Sequence, residues 1–191
     1  MRLFIALNLP DEERRRIYGA AEPLRQTEFP VRWMEPDLFH LTLKFLGQTR
    51  SEMVPVVQKV IRKVSGQTRA FALRLEGFGA FPTIRRPRVV WLGADPSPAL
   101  RCLKQDLEWG LTNHGFDRET RAFHPHVTLG RVDGDPGAGA FRGLDEVAAG
   151  IEFQQEVPVQ SVDLMRSQRL KEGVRYSVVE RFPLLASQSG D

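Results

Sequence analysis

The chain has 191 residues, of which 41% are hydrophobic and 27% are charged, with a formal net charge of +3 and a sequence pI of about 9.3. These are ordinary values for a globular protein, and the length suits a single domain. So small an excess of positive charge does not by itself indicate nucleic-acid binding, and no apolar run approaches the length of a membrane span. We therefore expect a soluble, cytoplasmic protein.

The first half of the chain predicts strands separated by two helices. Apolar runs and alternation indicate strands over residues 3–9, 31–35, 39–47 and 71–75. Asp11 and Ser51 are expected to cap the two helices. The segment from Gly77 to Pro82, rich in Gly and Phe, predicts a loop.

The second half predicts one long helix, one short helix and further strands. Ser97 followed by Pro98 is a strong helix start, and this helix is expected to end near Asn113. Further strands are expected over 89–92, from His126 onward, and over 151–157, 159–166 and 174–182. This order favours an α+β fold with largely antiparallel sheets in one domain, 1–185, followed by a disordered tail, 186–191.

A repeated tetrapeptide is the most informative feature of the sequence. His40-Leu41-Thr42-Leu43 recurs as His126-Val127-Thr128-Leu129, so both copies read His-x-Thr-Leu. Successive side chains of a strand point to opposite faces, so each histidine shares a face with its threonine while the apolar residues face the core. The alternative reading is two half-buried strands whose histidines are satisfied locally.

Two imidazoles that face one cleft can perform acid/base catalysis. One can accept a proton from a nucleophile while the other donates a proton to the leaving oxygen, and both protonation states are accessible near neutral pH. The threonine hydroxyls could hydrogen-bond the oxygens of a phosphate. Such a site needs no metal or other cofactor, and cleavage of a phosphodiester fits these groups better than acyl transfer.

The motifs resemble those of the two-histidine (2H) phosphoesterases. The opening strand, the two His-x-Thr-Leu strands and the segment Arg86–Gly93 are similar to the RNA 2′,3′-cyclic phosphodiesterase branch, historically called 2′-5′ RNA ligase. The resemblance spans nearly the whole chain. It implies a bilobal, pseudo-twofold α+β fold in which two largely antiparallel sheets line a central cleft, with helices outside. It also implies hydrolysis of a terminal 2′,3′-cyclic phosphate to a 2′-phosphomonoester, with reversible 2′-5′ ligation as a further expectation.

The resemblance also implies residue roles. His40 would donate a proton to the departing 3′ oxygen and His126 would activate water, although near-symmetric motifs leave the reverse assignment open. Thr42, Thr128 and Arg131 would hold the phosphate. Plain alternation places Arg131 on the face opposite His126, so this role requires a twist or bulge after Gly130. The expected partners are RNA with 2′,3′-cyclic ends or small cyclic nucleotides, bound by a monomer.

Further candidates come from composition around the motifs. Possible RNA contacts are Phe81, Arg85, Arg86, Arg88 and His124. Phe81 and Trp91 could stack on a base, although the apolar neighbours Val90 and Leu92 favour packing in the core for Trp91. Lys44 lies on the same side of its strand as His40 by simple alternation and is expected at the rim of the cleft.

Two alternatives from other classes of function stay open. The first is a non-catalytic module that binds RNA ends. The second is a metal-dependent hydrolase that uses His124 and His126, whose His-x-His spacing is usable for a metal.

Overall fold

A computed structural model describes residues 1–171 and 173–187 of the chain. The strands are β1 (Arg2–Asn8), β2 (Arg32–Trp33), β3 (His40–Gln48), β4 (Phe71–Thr83), β5 (Arg86–Ala94), β6 (His126–Arg131), β7 (Gln154–Val159), β8 (Ser161–Leu170) and β9 (Gly173–Pro183). The helices are α1 (Asp11–Ala20), α2 (Glu22–Gln26), α3 (Val54–Ser65), α4 (Pro98–Thr112) and α5 (Leu144–Ala149).

The strands form one sheet of nine strands, in the order β7-β4-β5-β6-β3-β1-β8-β9, with β2 paired to β6. Every pair of named strands is antiparallel. A single residue pair, Leu41 with Val127, joins β3 to β6 at the centre. The two sheets expected from the sequence are therefore hydrogen-bonded into one, and the narrow junction between its halves lies within the two repeated motifs.

Alternation in β1 gives the sheet two different faces. Leu3, Ile5 and Leu7 belong to the main core, together with the apolar stripes of the helices. Phe4 and Ala6 point the other way and pack in a small separate cluster with Met165. The helices contribute to the first face, so the second face is the one available for a functional site.

One of the three predicted helix caps is present, and the other two residues lie elsewhere at the helix starts. Ser97 caps α4 as expected, since its hydroxyl oxygen accepts the N–H of Leu100. Asp11 is the first residue of α1 instead of its cap, and Ser51 begins a short 3-10 turn before α3. Acidic side chains in the first turn of α1 still favour the positive end of the helix dipole.

The predicted loop over Gly77–Pro82 is wrong, because β4 runs from Phe71 to Thr83 as a single strand. Pairing of Phe78–Thr83 with β5 outweighs the local turn propensity of the glycines, whose effect is limited to a bulge between Leu75 and Phe78. Of the predicted tail, residues 188–191 lie outside the described residues. No helix in the described ranges is both long and apolar enough to cross a membrane.

Candidate active site

The register of β3 and β6 brings the two motifs together on one face. Leu41 pairs with Val127, and both side chains are fully buried in the main core. Because the strands are antiparallel, His40 lies across from Thr128 and Thr42 lies across from His126, all on the opposite face. The two histidines are diagonal neighbours, for which Cα atoms are typically about 7–8 Å apart.

Each motif strand contains a β-bulge directly after its threonine. In β3 the consecutive β1 residues Ile5 and Ala6 pair with Lys44 and Thr42, which leaves Leu43 as the extra residue. In β6 the corresponding extra residue is Leu129. A bulge shifts the alternation by one residue. The residues five positions after each histidine, Phe45 and Arg131, are exposed as a result.

The bulge at Leu129 returns Arg131 to the face of the histidines. Arg131 pairs with Val89 of β5, and its charge acts on the pKa of both His40 and His126. The bulge lies at Leu129, one residue earlier than the predicted position after Gly130. The phosphate-binding role of Arg131 therefore has the backbone geometry that it needs.

Both imidazoles are held by the carbonyl two residues earlier. His40 Nδ1 lies 2.8 Å from the Leu38 carbonyl oxygen, and His126 Nδ1 lies 2.7 Å from the His124 carbonyl oxygen. A carbonyl only accepts a hydrogen bond, so each Nδ1 carries the proton. In the neutral ring Nε2 is then a proton acceptor, and Thr42 Oγ1 lies 3.1 Å from Nε2 of His40.

His40 is enclosed by aromatic rings. The centroids of Phe4 and Tyr176 lie 5.0 and 5.1 Å from that of the imidazole. Burial lowers the pKa of His40 to about 4, in part opposed by the hydrogen bond to Leu38. The positive charges of Arg14 and Arg131 lower this pKa further. His40 is therefore neutral at pH 7 in the free protein.

His126 has a different set of neighbours. The ring of Phe81 lies 5.1 Å away, edge to face, and that of Trp91 lies 6.3 Å away. Burial also lowers the pKa of His126, and the charges of Arg131 and His124 add to this effect. Trp91 is half-buried on the face of the motifs, across from Thr128, so the prediction that it packs in the core is wrong.

Lys44 is buried in an ion cluster and does not lie at the rim of the cleft. The bulge at Leu43 turns Lys44 inward, where Nζ donates to Glu108 Oε2 at 2.6 Å and to the Asp117 carbonyl at 2.7 Å. Lys104 also donates to Glu108. Burial alone would raise the pKa of Glu108, but the hydrogen bonds from Lys104 and Lys44 hold it below its ordinary value. The cluster joins the first motif strand to the loop that leads to the second.

A polar network extends from the other side of His40. Asn8, paired with His40 across β1 and β3, donates to the fully buried carboxylate of Asp163 at 2.7 Å. Arg14 donates to Asn8 Oδ1 at 3.1 Å and to the Asp37 carbonyl at 3.2 Å. Arg181 donates to Asp163 at 3.2 Å. This network fixes the guanidinium of Arg14 where its charge acts on His40.

The structure brings some of the predicted RNA contacts to the site and leaves others apart. Phe81 lies against His126, and His124 is exposed beside it, 5.8 Å from the Phe81 ring. Arg85 and Arg86 lie at the exposed turn between β4 and β5. Arg88 donates to the Gly134 carbonyl. These three arginines lie at or near the tip of a hairpin, away from the histidines.

The residues that surround His40 were missed by sequence reasoning. Phe4 belongs to an apolar run that predicts a buried strand, Arg14 to a helix rich in charge, and Tyr176 to a distant strand. None of them has a local signal of function. Within the described ranges there is no group of three or more His, Cys, Asp or Glu side chains that could hold a metal ion.

Comparison with known proteins decides the family. The model of the 2′-5′ RNA ligase superfamily matches residues 13–171. The chain belongs to this superfamily. An RNA 2′,3′-cyclic phosphodiesterase of Aeropyrum pernix is 32% identical over 176 residues, which cover 92% of this chain and 97% of that protein.

Two solved structures have the same fold over nearly the whole chain. TT0787 of Thermus thermophilus has a TM-score of 0.81 and 28% identity, over 98% of this chain and 100% of that one. Escherichia coli LigT complexed with 3′-AMP has a TM-score of 0.73 and 28% identity, over 96% and 97%. The predicted α+β fold and the resemblance to two-histidine phosphoesterases are confirmed, and the protein is a phosphodiesterase.

Proposed function

We propose that this phosphodiesterase hydrolyses the 2′,3′-cyclic phosphate at the end of an RNA to a 2′-phosphomonoester, without a metal. The proposal depends above all on one observation: the pairing of Leu41 with Val127, which sets both histidines on one face. The names of the relatives support this substrate. Nucleoside 2′,3′-cyclic phosphates contain the same five-membered cyclic phosphate and are expected to react as well.

In the proposed reaction the phosphorus lies between the two imidazoles. Nε2 of His126 takes a proton from water as the water oxygen attacks phosphorus. The bond from phosphorus to the 3′ oxygen breaks, and Nε2 of His40 donates a proton to that oxygen. The product keeps its phosphate on the 2′ oxygen, and proton exchange with solvent restores both rings.

The electrostatics are compatible with this assignment of roles. The negative phosphate would raise the pKa of both rings, so one of them is protonated in the complex. His40 has the environment that disfavours its imidazolium more strongly, since it is buried and faces Arg14 and Arg131. Of the two singly protonated states, the one with His40 protonated is therefore the minor one, but it pairs the stronger acid, His40, with the stronger base, His126.

The remaining groups are assigned to the phosphate oxygens. Thr42 and Thr128 lie on the face of the histidines, and the exposed guanidinium of Arg131 lies beyond Thr128. Arginine can donate two parallel hydrogen bonds to a phosphate, and charge-assisted bonds are the stronger kind. We assign the two hydroxyls and this guanidinium to the charge that develops on the phosphate.

The test is product analysis with a short oligonucleotide that carries a 2′,3′-cyclic phosphate. We expect a 2′-phosphate product, formed at the same rate with and without EDTA. A 3′-phosphate product would mean that the leaving oxygen is assigned wrongly. Loss of turnover in EDTA would favour the metal-dependent alternative at His124 and His126, and binding without turnover would favour a non-catalytic module.

A further inference from the structure

A cavity of about 400 Å³ opens beside His126, on the side away from His40. His126, Trp91 and Phe81 form part of its wall, together with Phe78, Phe123 and His124. Its volume is in the range of small-molecule sites, about 300–1,000 Å³. A larger cavity of about 520 Å³, lined by residues 76–77 and 151–154, contains none of the motif residues.

The indole of Trp91 lies flat on the sheet because two neighbours are glycines. Gly79 pairs directly with Trp91 across β4 and β5, and a Cβ at Gly79 would lie 2.4 Å from the indole ring. Gly93, two residues along the same face, would bring its Cβ within 3.3 Å of the ring. One face of the indole therefore covers glycine backbone, and the other borders the cavity.

This arrangement costs stability. Glycine in a strand interior is unfavourable because it loses more backbone entropy than other residues and packs no side chain. The Nε1–H of Trp91 is buried, and it meets no acceptor among residues 1–171 and 173–187. A buried donor without a partner is also unfavourable. The glycines nevertheless let the indole present a flat aromatic surface next to the imidazole of His126.

The charges around the cavity select against a phosphate as its occupant. Glu76 and Asp95 are among the residues that line it, although the carboxylate of Glu76 also accepts a hydrogen bond from Arg74 at 2.8 Å; Arg131 lies beyond Thr128, at the other end of the β6 motif. A carboxylate repels a phosphate but can accept a hydrogen bond from the amino group of a base. An uncharged planar group fits this lining.

We propose that this cavity binds the base of the nucleotide that carries the cyclic phosphate, stacked on Trp91. The proposal rests on the function proposed above. His126 belongs both to the catalytic pair and to the cavity wall, so the cavity is within the reach of one ribose from the reacting phosphorus. The cleft then binds its substrate in one orientation, with the base on the side of the second motif.

The experiment compares two substrates and three variants. The substrates are adenosine 2′,3′-cyclic phosphate and 1-O-methylribose 2′,3′-cyclic phosphate, which has no base. The variants are Trp91→Leu, Trp91→Phe and, as a matched control, Trp109→Leu, which alters an indole that is 53% exposed on α4. Thermal unfolding of each variant establishes that it is folded.

We expect Trp91→Leu to raise KM for the adenosine substrate roughly 5- to 100-fold, the range of base stacking on an aromatic ring. The kcat value and the kinetics of the base-free substrate should change less than about threefold. Trp91→Phe should restore most of the affinity, and Trp109→Leu should behave as wild type. An equal change for both substrates, or no change for either, would overturn the pocket assignment.

Direct binding separates this proposal from the catalytic one. Adenosine, which has no phosphate, is titrated by calorimetry into the wild type and Trp91→Leu. Binding that Trp91→Leu abolishes supports the pocket even if no cyclic phosphate is hydrolysed. Normal hydrolysis combined with the same adenosine affinity in both proteins refutes the pocket and leaves the proposed function intact.

Discussion

The two motif strands have the same backbone conformation but different surroundings. Each histidine donates Nδ1–H to the carbonyl two residues earlier, and each threonine precedes a bulge. At the fourth position after the histidine, the first motif has buried Lys44 and the second has Gly130. At the fifth, the exposed residues are Phe45 and Arg131. The shared hydrogen bond and bulge set the position of each imidazole. The residues that differ between the two strands give each ring its own electrostatic environment.

The largest expected effect separates the acid from the base. His40→Ala and His126→Ala should each lower kcat/KM more than about a hundredfold. With a substrate whose 3′-bridging oxygen is replaced by sulfur, only His40→Ala should recover, because a thiolate leaves without a proton donor. Rescue of His126→Ala alone would reverse the two roles, and near-normal rates for both variants with the oxygen substrate would contradict acid/base catalysis by this pair.

The ion cluster behind the first motif should matter for stability. Lys44→Met leaves Glu108 with Lys104 as its remaining ion-pair partner and removes the donor to the Asp117 carbonyl. Breaking a buried pair typically costs about 3–5 kcal/mol in the free energy of unfolding, measured here by urea denaturation. The control Lys59→Met changes an exposed lysine of α3 and should cost less than about 0.5 kcal/mol. A similar cost for both variants would show that the cluster adds no stability.

The fifth positions offer a matched pair of substitutions. Arg131→Ala removes a charged hydrogen-bond donor from the proposed phosphate site and should lower kcat/KM roughly 10- to 100-fold. It should also weaken the dependence of kcat/KM on salt, since one cation fewer meets the RNA. Phe45→Ala changes the equivalent position of β3 and should leave the salt dependence unchanged. Equal salt dependence in wild type and Arg131→Ala would argue against a phosphate contact.

The smallest expected effect is a shift in pH dependence. At low pH both rings are protonated and no base is left, so the acidic limb of kcat/KM follows the lower pKa of the pair in the free enzyme. Burial lowers the pKa of His40 to about 4. Tyr176→Ser would admit water to His40, favour its imidazolium and move this limb to higher pH, toward 6.5. Tyr176→Phe keeps the ring and should keep the profile. A limb that stays in place in Tyr176→Ser would mean that this ring does not maintain the burial of His40.

The sequence by itself determined the chemistry of the motifs and which of their residues lie on the same face of a strand. Alternation in a strand is a local property, so His40 with Thr42 and His126 with Thr128 could be assigned to one face each without knowledge of the fold. The cap at Ser97 followed from local hydrogen bonding in the same way. The family could be recognised from the same short segments, because those segments contain the reacting groups.

Only the tertiary structure decided which distant groups surround each imidazole. Tyr176 and Phe4 reach His40 through the order of the strands, and a bulge selected by pairing with β1 turns Lys44 into the interior. The flat position of Trp91 likewise depends on Gly79, twelve positions earlier in the sequence but directly opposite in the sheet. Register and burial are properties of paired strands. The pKa of a histidine and the shape of a cavity therefore follow from contacts between segments that no local pattern relates.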